Sequence, residues 1–158
     1  MSEERFPLEP SLELAFEAQV LVDPPLMLGE VDGRQRRIVP IRGGRVEGAR
    51  LNGEVLAGGA DWQAIRANGV TQVLARYVIR ADDGAMISVV NAGVRRASEL
   101  VIRRLLAGQP VDPELVYFRA APTFEVGPGP HAWLTEQLFI SAGVRRPDSV
   151  HIRFYIVR

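Results

Sequence analysis

The sequence predicts an all-β fold: an antiparallel meander β-barrel of about eight to ten strands with one short helix. Three observations predict it. The 15 Gly and 11 Pro are spread through all 158 residues and cut the chain into pieces mostly under about ten residues, the rhythm of sandwiches and barrels. Apolar residues recur at period two in the longer pieces. Successive pieces are joined by short turns, and a closed barrel is the simplest meander that leaves no exposed edge.

The elements follow in order. Leu12 to Val22 reads as a strand with Leu12, Leu14, Phe16, Ala18 and Val20 on one face and Glu13, Glu17 and Gln19 on the other. Asp23-Pro24-Pro25 stops it, and a loop with Gly29 and Asp32-Gly33 follows. Arg36 to Ile41 is a short strand ended by Gly43-Gly44, and Arg45 to Leu56 is a strand bent at Gly48 and Gly53. Gly58-Gly59-Ala60-Asp61-Trp62 is a tight turn, Trp62 to Ile65 a short strand, and Asn68-Gly69 a hairpin signal. Val70 to Arg80 pairs across Asp82-Asp83-Gly84 with Ala85 to Asn91. Ser98 to Ala107 is the one helix, with Ser98 as N-cap, Leu100, Val101, Leu105 and Leu106 as its apolar face, and Gly108 at the stop. Val116 to Ala121, Ala132 to Ala142 and Val150 to Val157 are the last strands, and Gly127-Pro128-Gly129-Pro130 is a rigid connection. No exact internal repeat is read. The expected division is an N-terminal extension over 1–11 and a single barrel domain over 12–158.

Composition excludes several chemistries. The 19 basic residues are all Arg and balance 19 acidic ones. The basic surplus of a nucleic-acid binder is therefore missing, and without Lys there is no Schiff-base lysine. Without Cys there is no disulfide, thiol nucleophile or Cys-ligated zinc. Two His, His131 and His151, are too few for a His-rich metal site. No Walker loop, no Gly-x-Ser-x-Gly elbow and no His-Glu-x-x-His is present. The acidic start Met-Ser-Glu-Glu-Arg-Phe-Pro does not read as a secretory signal, and no apolar run is long enough for a membrane helix. The expectation is a cytoplasmic protein with no cofactor, no metal, no nucleic acid and no membrane partner.

Parity divides Val70 to Arg80 into a face of Gln72, Leu74, Arg76, Val78 and Arg80 and a face of Val73, Ala75, Tyr77 and Ile79. Read as a strand, Ala132 to Ile140 also has two mixed faces, one with Trp133, Thr135, Gln137 and Phe139. Mixed faces suit a barrel that holds polar groups around a cavity.

Several motifs recur in the order of one known family. They are Ile41-Arg42-Gly43-Gly44, the run from Leu51-Asn52-Gly53 through Gly58-Gly59-Ala60-Asp61-Trp62, Ala75-Arg76-Tyr77, Asp82-Asp83-Gly84, Asn91-Ala92-Gly93, and Tyr117-Phe118-Arg119 with Pro122, Phe124-Glu125 and Trp133-Leu134. From about Leu12 to the C-terminus the chain resembles domain of unknown function 3237, also called uncharacterised protein family 0311. The resemblance implies a small barrel similar in build to calycin and allene-oxide-cyclase-like barrels, and it carries no activity. The chain departs from the pattern at Leu74, where the family often has an acidic residue two before the arginine, and at Thr135, where it often has Asn.

Candidate site residues come from chemistry-bearing side chains beside turns and on strands. Asp61, after the double glycine, can serve as a base next to Trp62 or can cap its own turn. Arg76 and Arg119, on different strands, can bind a carboxylate or enolate as a fork, or each can pair with a neighbouring glutamate. Asn91 can donate to a ligand carbonyl or tolerate a turn. Tyr77, Tyr117 and Trp133 can form cavity walls or fill the core. His131 and Glu125 fit a solvated loop and surface better than acid–base roles. The catalytic candidates are therefore Asp61 and Arg76, and the ligand-binding candidates Trp62, Tyr77, Asn91, Tyr117, Arg119 and Trp133.

Three functions are compatible with these residues. The first is a barrel that binds a small, partly apolar organic molecule with a carboxylate or carbonyl end. The second is a cofactor-free isomerase, cyclase or lyase in the same cavity. The third is an assembly protein without a pocket. Apolar residues on both strand faces further suggest a homodimer or other homo-oligomer.

Overall fold

The computed structural model describes residues 8–158 and is built almost wholly of strands. In chain order they are β1 (Leu12–Val22), β2 (Leu26–Val31), β3 (Arg34–Gly48), β4 (Gly53–Val55), β5 (Ala60–Ile65), β6 (Thr71–Ala81), β7 (Met86–Ala97), helix α1 (Glu99–Leu106), β8 (Val116–Glu125), β9 (Phe139–Arg145) and β10 (Ser149–Val157). Neighbours run antiparallel in the order β1-β10-β9-β8-β7-β6-β5-β3, and β3 pairs back onto β1, so the eight-strand ring closes. Two further strands complete the set of ten: β4 shares the β3–β6 interval with β5, and β2 adds to β3. Among the described residues no helix is long and apolar enough to cross a membrane.

Local signals behave as their chemistry dictates. Asn68 Oδ1 accepts from Val70 N at 3.1 Å and Gly69 takes φ +85°, which turns β5 into β6. Asp83 Oδ1 accepts from Ala85 N at 3.1 Å in the β6–β7 hairpin. Ser98 Oγ accepts from Val101 N at 3.3 Å and caps α1.

Three readings need correction. The segment 26–31 is a strand rather than a loop, with Leu26, Met27, Leu28 and Val31 left exposed. β3 does not stop at Gly43-Gly44; it runs through to Gly48. A side chain at Gly44 would strike the Gln19 carbonyl, so the glycine permits the close approach that closes the barrel. The segment 132–142 is not one strand. Residues Ala132–Thr135 form a 3₁₀ turn that buries the adjacent Trp133 and Leu134, and the strand begins only at Phe139.

That turn plugs one end of the barrel. Phe16 and Phe154 stack there at 4.4 Å, Phe124 meets Phe139 edge-on at 5.0 Å, and Trp133 lies 6.0 Å from Phe139. Arg50 covers Trp133 at 4.2 Å. His131 is buried rather than solvated as expected: its Nε2 and Asp83 Oδ2, 2.7 Å apart, tie the turn to the β6–β7 hairpin.

Strand β7 packs tightly on β8 at Gly93, where an added Cβ would run into Arg119 O and Ala120. Gly93→Val is expected to lower stability by roughly 1–3 kcal/mol through overpacking, read as a lower urea midpoint; an unchanged midpoint would mean that the strands part freely here.

Candidate functional site

The opposite end of the barrel is polar, and strand parity makes it so. On β3, Arg37 alternates with Val39 and Ile41, all buried. On β5, Asp61 and Gln63 share a face, while Trp62 between them points outward. On β7, Arg95 shares the inner face with Asn91, Val89 and Ile87. On β9, Arg145 shares it with Ser141. Four strands on different sides of the ring thus send Arg37, Asp61, Gln63, Arg95 and Arg145 into one end of the lumen.

Gln63 is the hub. Buried to 2 % exposure, its Oε1 accepts from Arg37 Nε at 2.6 Å and from an Arg95 terminal nitrogen at 3.5 Å. Its Nε2 donates to Asp61 Oδ2 at 2.7 Å. The other Asp61 oxygen accepts from Leu74 N at 2.9 Å. The amide can point only one way, because its carbonyl faces cations and its NH₂ faces a carboxylate. One layer deeper, Ser141 Oγ donates to Asn91 Oδ1 at 3.2 Å, both side chains being buried. Ala75, cross-strand from both Asp61 and Asn91, is only partly buried, as is Asp61.

The charges do not cancel. Three guanidiniums face one carboxylate, and among the described residues none of Arg37, Arg95 and Arg145 lies within ion-pair distance of an acidic group. Burial lowers the pKa of all three. For Arg95, burial with the like charges of Arg37 and Arg145 brings it down to about 10. Burial raises the Asp61 carboxyl above the usual range, against the pull of Gln63, Leu74 N, Arg95 and Arg37. Tyr77, deeper in the lumen, has its hydroxyl buried without a partner, and burial pushes its pKa up.

The sequence candidates divide between the two sides of the wall. Asp61, Asn91 and Tyr77 face the lumen. Arg76 is exposed on the outer face of β6. On the outer face of β8, Arg119 lies 5.8 Å from the Tyr117 ring, and Tyr117 is exposed. Trp62 also points outward, and Trp133 belongs to the plug. Leu74 contributes its backbone N–H to Asp61, whereas Thr135 bonds back onto Ala132 O in the 3₁₀ turn of the plugged end.

Arg37, Gln63, Arg95, Arg145 and Ser141 were not singled out from sequence. A signal for them exists. Contrary to the reading that the chain has no exact internal repeat, Ala-Gly-Val-Arg-Arg occurs twice, after Asn91 on β7 and after Ser141 on β9. The residue before each copy joins the Asn91–Ser141 bond, and the first arginine of each copy enters the lumen. In the doublets Arg36-Arg37 and Arg95-Arg96, strand alternation turns one arginine inward and leaves the other on the outer face.

Among the described residues no group of three or more His, Asp or Glu could hold a metal ion. A separate groove of about 500 Å³ lies on the outside, where β8 and β9 share only two residue pairs. It is lined by Ala121, Pro122, Leu138 and Phe139 among others and carries no titratable side chain.

The family model for "Protein of unknown function (DUF3237)" matches residues 10–157. The chain belongs to the DUF3237 family. A UPF0311 protein of Clostridium acetobutylicum is 39% identical over 149 residues, covering 93% of this chain and 94% of the relative. The crystal structure of a conserved protein of unknown function from Rhodopseudomonas palustris has a TM-score of 0.92 at 37% identity, covering 95% of this chain and 99% of that one. An enzyme from Penicillium herquei shares the fold with a TM-score of 0.73 at 19% identity over 98% of this chain and 99% of that one. DUF3237 membership thus fixes the barrel architecture and leaves the chemistry to the residues.

Proposed function

We propose that the polar end of this DUF3237 barrel binds a small, partly apolar organic anion, with Arg37, Arg95 and Arg145 as its seat. One observation carries the reading: three partly or fully buried guanidiniums share a single carboxylate. Uncompensated like charges in a desolvated site are costly, and an anion entering the mouth would relieve them while gaining charge-assisted hydrogen bonds. The inner wall supplies the apolar contact. Ala75 lines it, and the Phe118 ring lies 5.7 Å from the Arg95 guanidinium and covers Gly143.

Calorimetric titration with phenylacetate and phenylpyruvate tests the reading. Saturable binding that weakens with salt is expected. Arg145→Met should cost roughly 10- to 100-fold in affinity, the worth of a hydrogen bond to a charged group. Arg119→Gln, on the outer face, should stay near wild type. Absence of saturable binding, or equal affinity in Arg145→Met, would remove the proposal. Self-association has its own support in the exposed apolar side chains of β2, and light scattering that finds only monomer would remove it.

A further inference from the structure

Resting on the anion-seat reading, we propose that the same site catalyses cofactor-independent proton transfer at the carbon next to the carbonyl of a 2-oxo acid, with Asp61 as the base. The argument starts from how the polar atoms are shared out. Arg95 and Arg145 occupy matching places in the two Ala-Gly-Val-Arg-Arg copies, on strands that flank β8. They approach the lumen from one side as a pair, which suits the two oxygens of a carboxylate.

Arg37 stands on another wall. It spends Nε on Gln63, and among the described residues its terminal nitrogens have no side-chain acceptor, which leaves them for a second one. Through Gln63 it is joined to Asp61, so the third cation and the carboxylate base are held as one unit. A simple carboxylate would use the pair and leave this unit idle. A 2-oxo acid offers a ketone oxygen beside its carboxylate, and the carbon beyond that ketone carries the acidic hydrogen.

The step balances within these groups. Asp61 removes the proton from C3. The C3–H electron pair becomes the C2–C3 double bond, and the carbonyl π pair moves onto the ketone oxygen. The resulting enolate oxygen lies against the Arg37 guanidinium, a preorganised donor for charge that develops only as the proton leaves. Return of the proton from Asp61 to C3 restores the ketone, and no oxidant or further reactant is consumed. Gln63 is a positioning residue. Its Nε2 donates to Asp61 Oδ2 while its Oε1 is held by Arg37 Nε, which fixes the carboxylate beside the seat, and desolvation makes that carboxylate a stronger base than one in water.

The experiment uses phenylpyruvate and 2-oxobutyrate in D₂O. Loss of the C3–H proton signal is followed by NMR, and binding of the same compounds by calorimetry. The expected result is saturable exchange by the wild type. Asp61→Asn should cut it by at least about 100-fold, the scale of general-base catalysis, while binding is kept or tightened because a repelling carboxylate is gone. Arg76→Gln, on the outer face, should exchange at the wild-type rate. The wild-type rate should fall as pH drops through a pKa above the ordinary carboxylate range. The facing charges are Arg37 on β3, Arg95 on β7 and Arg145 on β9, all cationic throughout that window, so the fall reports Asp61.

Binding of both compounds without exchange above the buffer background would overturn this inference and leave the anion seat standing. No binding at all would overturn both. Exchange that survives Asp61→Asn would overturn the base assignment. Should that variant not fold, a wild-type rate flat down to about pH 4, near the ordinary carboxylate pKa, would do the same.

Discussion

Arg95→Met is expected to make the protein more stable and, at the same time, a poorer binder. The Arg95 pKa is held down to about 10 by burial and by the like charges of Arg37 and Arg145. The folded state therefore disfavours the Arg95 cation. The sign follows from linkage: a depressed pKa favours the fold only above the unfolded value, and that contribution is lost as pH falls through about 10. At neutral pH the cation is a burden. Methionine has similar length and no charge. The 3.5 Å bond from Arg95 to Gln63 and the placing of its guanidinium 5.7 Å from the Phe118 ring are what the exchange forfeits. The net gain is set at roughly 1–3 kcal/mol, by analogy with buried ionic groups replaced by hydrophobes. Calorimetry at pH 7 would show a Tm raised by several degrees, and the gap to wild type should narrow above about pH 10. Anion affinity should fall together with the charge. A variant that loses stability and keeps affinity would show that Arg95 is a structural strut.

Phe154→Ala carries the largest expected loss. Phe154 is completely buried, stacked on Phe16 at 4.4 Å and within 6.1 Å of Phe124. These rings come from β10, β1 and β8, so one side chain links strands far apart in sequence. Truncation leaves a cavity that a closed ring of strands cannot collapse into. The cost is about 3–5 kcal/mol, which for a chain of this size lowers Tm by roughly 10 °C. A urea midpoint gives the same answer at 25 °C, and a loss under about 1 kcal/mol would mean that the plugged end repacks.

The architecture was largely readable because its signals are local. Turn chemistry at Asn68-Gly69 and Asp82-Asp83-Gly84 and the Ser98 cap depend on a few neighbouring residues, and each has the expected hydrogen bond. The period-two pattern of β1 holds from Phe16 to Val22, where buried side chains alternate, and fails at Leu12 and Leu14, which a register shift before Phe16 leaves exposed. Errors arose where tertiary contact outweighs local pattern. Gly43-Gly44 resembles a stop, yet the absent side chain of Gly44 is what lets β3 lie against β1. Trp133 and Phe139 keep strand parity, yet Trp133 and Leu134 are both buried in succession, which a 3₁₀ turn over the barrel end permits and a strand with one wet face does not.

The candidate site was harder to read than the fold. Asp61, Asn91 and Tyr77 fall inside because they share parity with apolar neighbours. Arg76 and Arg119 sit one residue out of phase with the inner face of their strands. The arginines that do enter are hidden within Arg-Arg doublets, where composition shows two surface charges and only the strand register shows which one turns inward.

The direct test of the anion seat is a crystal soaked in bromide and read by anomalous scattering. The account predicts a bromide among the guanidiniums of Arg37, Arg95 and Arg145 inside the barrel mouth, displaced when phenylpyruvate is added. Bromide found only at outer arginines such as Arg76 and Arg119, with the mouth empty at full soak, would contradict it.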